Sequence, residues 1–89
     1  MEVKIDKSFQ KDTRKIKDKA LLTKIALVIS SVQQAENINQ IKNLKKLKGS
    51  SENFRIKIGD YRLGIIVSES SIEFIRCLHR RDIYKYFPK

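Results

Sequence analysis

The side chains best suited to chemistry lie in the last third of the chain, Asn53 to Lys89, where Arg, Lys, His and Tyr are interleaved with apolar residues. Phe54, Ile56 and Ile58 alternate with Arg55 and Lys57. Because strand side chains alternate with period two, the apolar three take one face and the two cations the other. Gly59-Asp60 reads as a two-residue hairpin loop, which pairs Ile58 with Tyr61 and Lys57 with Arg62. Arg55, Lys57 and Arg62 then project from one face of one hairpin. Cations gathered in this way repel each other unless an anion binds among them, and RNA phosphate is the obvious anion. His79, Arg80, Arg81 and Tyr84 follow the last apolar run and add a proton carrier, two more guanidiniums and an aromatic ring.

The elements that must position these groups follow from the changes of period. Val3 and Ile5 alternate with polar residues as a short opening strand. Asp6 or Ser8 can cap a helix bearing Phe9, Thr13, Ile16 and Ala20 at helical spacing. A second helix, from about Leu21 to Glu36, carries Leu22, Ile25, Ala26, Ile29, Val32 and Gln33 as its inward stripe. Without Pro or Gly between them the two form a helical hairpin bent near Asp18-Lys19. Asn37 to Ser51 reads as a last helical turn and an ordered basic loop ending at Gly49-Ser50-Ser51. Three strands and a short tail complete the order β-α-α-β-β-β. The expected fold class is α+β: two N-terminal helices on one face of a small antiparallel sheet. The opening strand joins that sheet beside the last strand or at an edge. Phe9, Ile16, Ile25, Ile29, Phe54, Ile56 and Leu63 are expected core.

Composition bounds the partners. Eighty-nine residues make one domain, residues 1–89, with a single main core. A formal charge of +10, from 20 Lys and Arg against 10 Asp and Glu, calls for a polyanionic partner. The lone cysteine, Cys77, has no internal disulfide partner and fits a reducing compartment as a small buried hydrophobe. No apolar run approaches the roughly 20 residues of a membrane span, and MEVKIDKSF lacks the apolar region of a secretory signal. A cytoplasmic location is the expectation. One His and one Cys, with no carboxylates at ligand spacing, imply no metal and no cofactor.

Three blocks carry a family resemblance: Leu47-Lys48-Gly49, Phe54 through Leu63 (FRIKIGDYRL), and Leu78-His79-Arg80-Arg81-Asp82-Ile83-Tyr84. With the order of elements, they make the chain similar to the RelE/ParE superfamily of type II toxins. RelE-type members cut mRNA in the ribosomal decoding site; ParE-type members inhibit DNA gyrase. Both are neutralised by an acidic, partly disordered antitoxin. The resemblance therefore implies an endoribonuclease that works on the ribosome, with mRNA and an antitoxin as partners; a gyrase inhibitor or an inert binding domain is the alternative.

By the same resemblance, Arg55 and Lys57 stand where RelE has two lysines near the scissile phosphate. Arg62 matches its hairpin arginine, Arg80 the arginine after the last strand, and Tyr84 the C-terminal tyrosine that stacks on or orients the substrate. Arg81 can exchange roles with Arg80. RNA cleavage through the neighbouring 2′-hydroxyl needs a base, cations for the phosphorane and an acid for the leaving oxygen. Arg55 departs from the RelE lysine and stays protonated, so it binds RNA and is no base. Lys57 serves as base only in its neutral form, which clustered cations favour. His79 is the only histidine, and imidazole is the side chain whose ordinary charge change lies nearest neutrality. Either Lys57 or His79 can carry the proton. Lys45, Lys46 and Lys48 are a solvated basic run which, on a ribosome-binding protein, lies against rRNA phosphate. Tyr61 reads as a cross-strand packing residue, and Asp82 as a salt-bridge or capping residue.

Overall fold

A computed structural model describes residues 1–88. The elements are β1 (Glu2–Ile5), α1 (Lys7–Arg14), α2 (Lys19–Gln34), a 3₁₀ turn at Ile38–Gln40, β2 (Leu44–Lys46), β3 (Asn53–Ile58), β4 (Tyr61–Val67), β5 (Ser71–His79) and α3 (Ile83–Tyr86). The strands form one sheet in the order β1-β5-β4-β3-β2. The α+β expectation holds, with two additions. The opening strand does lie beside the last strand at an edge, and it runs parallel to it. The basic segment expected as loop contains β2, which pairs antiparallel with β3. Three residues with one apolar side chain, Leu44, are too short to show a strand period in sequence. As an edge, this short lysine-bearing strand is poorly suited to recruiting another chain.

Both helices start on aspartates. The Asp6 side chain accepts from Ser8 N at 2.9 Å, and Asp18 accepts from Ala20 N and Leu21 N at 2.9 and 3.2 Å. Such caps stabilise a helix by about 1 kcal/mol. Asp18 thus explains why the chain bends where no Pro or Gly forces it. The inward stripe of α2 is Leu21, Ile25, Val28, Ile29 and Val32, whereas Ala26 and Gln33 are exposed. The expected stripe was rotated because helix α2 begins at Lys19 and its apolar residues are spread widely around it.

Phe9, Ile25 and Val32 close over Ile56, Ile58, Leu63, Ile65, Ile72, Phe74 and Cys77 to make the main core. Every residue expected in the core lies in or against this cluster. A second, smaller cluster of Leu47, Ile75, Ile83 and Phe87 packs on the opposite face of the sheet. It is made possible by Gly64: a Cβ there would sit 2.6 to 3.0 Å from the Phe87 ring. A side chain at position 64 would hold Phe87, and α3 with it, off the sheet. The tail therefore covers part of the open face and leaves the rest bare.

Candidate nucleic-acid interface

The hairpin forms in the expected register, with Ile58 opposite Tyr61 and Lys57 opposite Arg62. Gly59 takes a positive φ of 56°, which suits glycine at the first position of a two-residue loop. The pairing lines up two rows across the face not covered by α1 and α2. One row is Lys57, Arg62 and Leu78. The other is Lys45, Arg55, Gly64 and Arg76. Directly opposite side chains lie roughly 5 Å apart at Cβ, and like charges so placed repel.

Arg62 and Arg55 are held by backbone oxygens and not by carboxylates. Arg62 Nη1 donates to the Gly59 and Tyr61 carbonyls at 2.8 and 2.9 Å. Arg55 Nη1 donates to the Asn43 carbonyl at 2.9 Å. Asn43, in the left-handed region at φ 62°, accepts there from Lys57 N as well. Lys57 is exposed and has no side-chain partner among the described contacts. Arg80 comes to the same hairpin tip: its N–H donates to the Asp60 carbonyl at 2.7 Å, and its guanidinium faces the Asp60 carboxylate at 3.8 Å. With both side chains mostly exposed, that ion pair is weak. Tyr84 is exposed on α3, the helix that packs on this face through Ile83.

The remaining predicted residues go elsewhere. His79 pairs with Tyr61 on the helix-covered side of the sheet, its ring edge-on to the tyrosine at 5.7 Å. Its Nδ1 accepts from Arg81 N and Nε at 3.2 and 3.3 Å. A neutral imidazole has one lone pair, and here Arg81 takes it. Arg80 and Arg81 therefore diverge, one to the hairpin tip and one onto His79. Lys45 joins Arg55, while Lys46 stands opposite Phe54 on the other side and Lys48 is exposed beyond the strand. Tyr61 is a cross-strand packing residue, and Asp82 meets Lys85 at 3.6 Å without capping α3. No three potential metal ligands come together among the described residues.

A family model described as the ParE toxin of type II toxin–antitoxin systems, parDE, matches residues 3–84. The chain belongs to this toxin family. It is 39% identical over 89 residues to Toxin RelE3 of Methanocaldococcus jannaschii, covering 99% of this chain and 100% of that one. It superposes with a TM-score of 0.81 and 36% identity on the RelB–RelE antitoxin–toxin complex from Methanococcus jannaschii, covering 96% of this chain and 99% of that one. The YoeB dimer from Staphylococcus aureus shares the fold at TM-score 0.71 and 18% identity, over 89% and 95% of the two chains. The RelE/ParE resemblance read from the C-terminal blocks is thus borne out, and the protein is a toxin of a toxin–antitoxin system. Among the described residues no helix is long and apolar enough to cross a membrane.

Sequence reasoning missed the most deeply buried ion pair of this toxin. Arg76 donates from Nε to Asp12 at 2.8 Å and from Nη2 at 3.1 Å, and Asp12 also accepts from Cys77 N at 2.9 Å. Strand β1 pairs only as far as Phe74, so β5 has a free edge beyond it, and the Asp12 carboxylate stands in for the missing strand. The hydrogen bond to Asp12 raises the Arg76 pKa above its ordinary value, against the cost of burial. The signal was present: Asp12 follows Phe9 by three residues, on the buried face of α1, where an acid needs a partner.

Proposed function

We propose that this toxin is an endoribonuclease that cuts mRNA on the ribosome. The observation that carries the reading is the open sheet face, where Arg55, Lys57 and Arg62 lie in register with no carboxylate to neutralise them. The kinship with toxins named RelE adds to it. In the proposed step the 2′-hydroxyl attacks the adjacent phosphorus and loses its proton to Lys57. The Lys57 ammonium then returns the proton to the 5′-oxygen as its bond to phosphorus breaks, leaving a 2′,3′-cyclic phosphate and a 5′-hydroxyl. Arg62 and Arg80, gathered at the hairpin tip, stabilise the phosphorane charge. Arg55 and Lys45 hold the flanking backbone, and Tyr84 positions the nucleotide. Of the two candidate bases we choose Lys57, because His79 lies on the other side of the sheet with its lone pair engaged by Arg81. His79 then orients Arg81. Lys46 and Lys48 lie outside the rows and are left to rRNA phosphate. An acidic antitoxin is the natural partner of so basic a chain, and the RelB–RelE structure is such a toxin with its antitoxin. We place the protein in the cytoplasm, where its target is.

The test is mRNA cleavage in a reconstituted translation mix, with and without ribosomes. Wild type should cut at codon positions only when ribosomes are present. Arg62→Ala and Lys57→Ala should each lose at least about a hundredfold in rate, in the range found when one transition-state donor is removed, while His79→Gln keeps most activity. A His79→Gln protein as dead as Lys57→Ala would return the base to His79. Because the matching family model is described as a ParE toxin, intact mRNA together with inhibited gyrase supercoiling would favour the gyrase reading.

A further inference from the structure

Among the described residues, Asn43 alone of the non-glycines takes a positive φ, 62°. The left-handed region suits glycine and, less freely, asparagine and aspartate, whereas a β-branched residue there is an outlier. Such conformations persist where the surroundings hold them, and they gather at working sites. Asn43 stands one residue before β2, whose Leu44 and Lys45 pair with Ile56 and Arg55. Its carbonyl accepts from Arg55 Nη1 at 2.9 Å and from Lys57 N at 3.1 Å. A carbonyl oxygen has two lone pairs, and both are taken here by residues of the cationic rows. Asn43 is exposed, and its side chain makes no hydrogen bond among the described residues. What position 43 supplies is therefore the direction of its carbonyl and not its amide.

The consequence falls on Arg55. With no carboxylate at its guanidinium, the Asn43 carbonyl is its fixed point. One N–H of the fork is spent on that oxygen, and the other donors remain for a phosphate. An arginine set in advance loses less freedom on binding than one that must be ordered by the ligand. The same carbonyl ties down the backbone of Lys57, and β2, which begins at the next residue, sets Lys45 beside Arg55. We propose that Asn43 is a positioning residue of the RNA face. Its left-handed backbone aims one carbonyl so that Arg55 meets the flanking phosphate and the segment bearing Lys57 is held in place. Asn43 itself touches no RNA. The inference rests on the ribonuclease reading for its ligand and adds a residue outside the cations which that reading uses.

The experiment measures the affinity of the full-length toxin for a short single-stranded RNA by fluorescence anisotropy at several salt concentrations, beside cleavage in the translation mix. Asn43→Val, which disfavours the left-handed backbone, should act like the loss of Arg55. Binding should weaken about tenfold, and the slope of log K on log salt should shrink by roughly 0.7, one single-strand phosphate contact. In the translation mix kcat/KM should fall about tenfold with it. Asn43→Gly keeps the left-handed backbone without the amide and should retain wild-type affinity, slope and cleavage. In an Arg55→Ala background, Asn43→Val should leave affinity and slope unchanged, because the group it misplaces is gone. Asn43→Ala, less crowded in that region than valine, gives the same comparison if Asn43→Val does not fold. A wild-type slope in Asn43→Val, an Asn43→Gly protein as weak as Asn43→Val, or an undiminished effect in the Arg55→Ala background overturns the positioning role while leaving the ribonuclease reading intact. A wild type that binds RNA but leaves mRNA uncut keeps Asn43 as a positioner for binding and removes the ribonuclease reading instead. A wild type that binds no RNA overturns both.

Discussion

At the scale of single residues, the chain spends its few buried polar groups on one arrangement, Asp12 with Arg76 and the Cys77 N–H. Removing one partner of a buried pair leaves the other charge uncompensated, which typically costs about 3 kcal/mol or more. Asp12→Ala should therefore lower the urea midpoint strongly, and Asp12→Asn, which can still accept from Cys77 N, should recover part of the loss. Equal midpoints for Asp12→Ala and wild type would remove Asp12 from its role as edge cap. The neighbouring thiol makes a separate prediction. Burial, with a smaller contribution from Asp12, pushes the Cys77 pKa from 9.0 up to about 12. The unfolded thiol thus ionises first, so its contribution to stability is complete below pH 9 and is lost as pH rises through about 12. Between these limits wild type should lose stability relative to Cys77→Ala by roughly 1 kcal/mol per pH unit. Thermal melts of both proteins across that window, compared as a difference, isolate this thiol from the lysines and tyrosines that titrate nearby.

At the scale of elements, the decisive junction is the one between β4 and the tail. Phe87 reaches the sheet because position 64 has no side chain, and with Ile83 it fastens α3, which carries Tyr84 and Tyr86. Overpacking of this kind costs about 1 to 3 kcal/mol. For a domain of this size that is a fall of roughly 4 to 8 °C in Tm for each kcal/mol. Gly64→Ala should show such a fall. In a Phe87→Ala background the same substitution should be nearly silent, because the ring it would strike is gone. Additive effects in the double variant would mean that Gly64 acts through backbone freedom and not through Phe87. The same junction confines the bare part of the open face to the hairpin and β2, which is where the cations stand.

At the scale of the whole molecule, a charge of +10 makes RNA affinity strongly dependent on salt. If Lys45, Arg55, Lys57 and Arg62 each neutralise one phosphate, log K should fall with log salt at a slope near −3, about −0.7 per contact for single strands. Arg55→Ala should reduce that slope by roughly 0.7 and weaken all sequences alike. Fluorescence anisotropy on a single-stranded RNA at several salt concentrations measures it, and an unchanged slope would take Arg55 off the RNA path.

Much of this was legible before any coordinates. A two-residue loop at Gly59-Asp60 admits one register, so the pairing of Lys57 with Arg62 and their common face followed from local pattern alone. The α+β class and the core residues followed from periods of two and 3.6 in the same way, and Asp6 was one of two candidate caps for α1, whereas the cap at Asp18 was not read. What the pattern could not decide is where separate elements meet. Strand β2 is too short for a period, and the side of the sheet on which His79 falls depends on the pairing of β5 with β4, a contact between residues far apart in sequence. Asp12 meets Arg76 across 64 positions, and Phe87 meets Gly64 only because the tail folds back over the sheet. Residue type and spacing thus determined which groups share a strand face. Only tertiary packing decided that His79 leaves the cationic face and that one carbonyl, from Asn43, serves both Arg55 and Lys57.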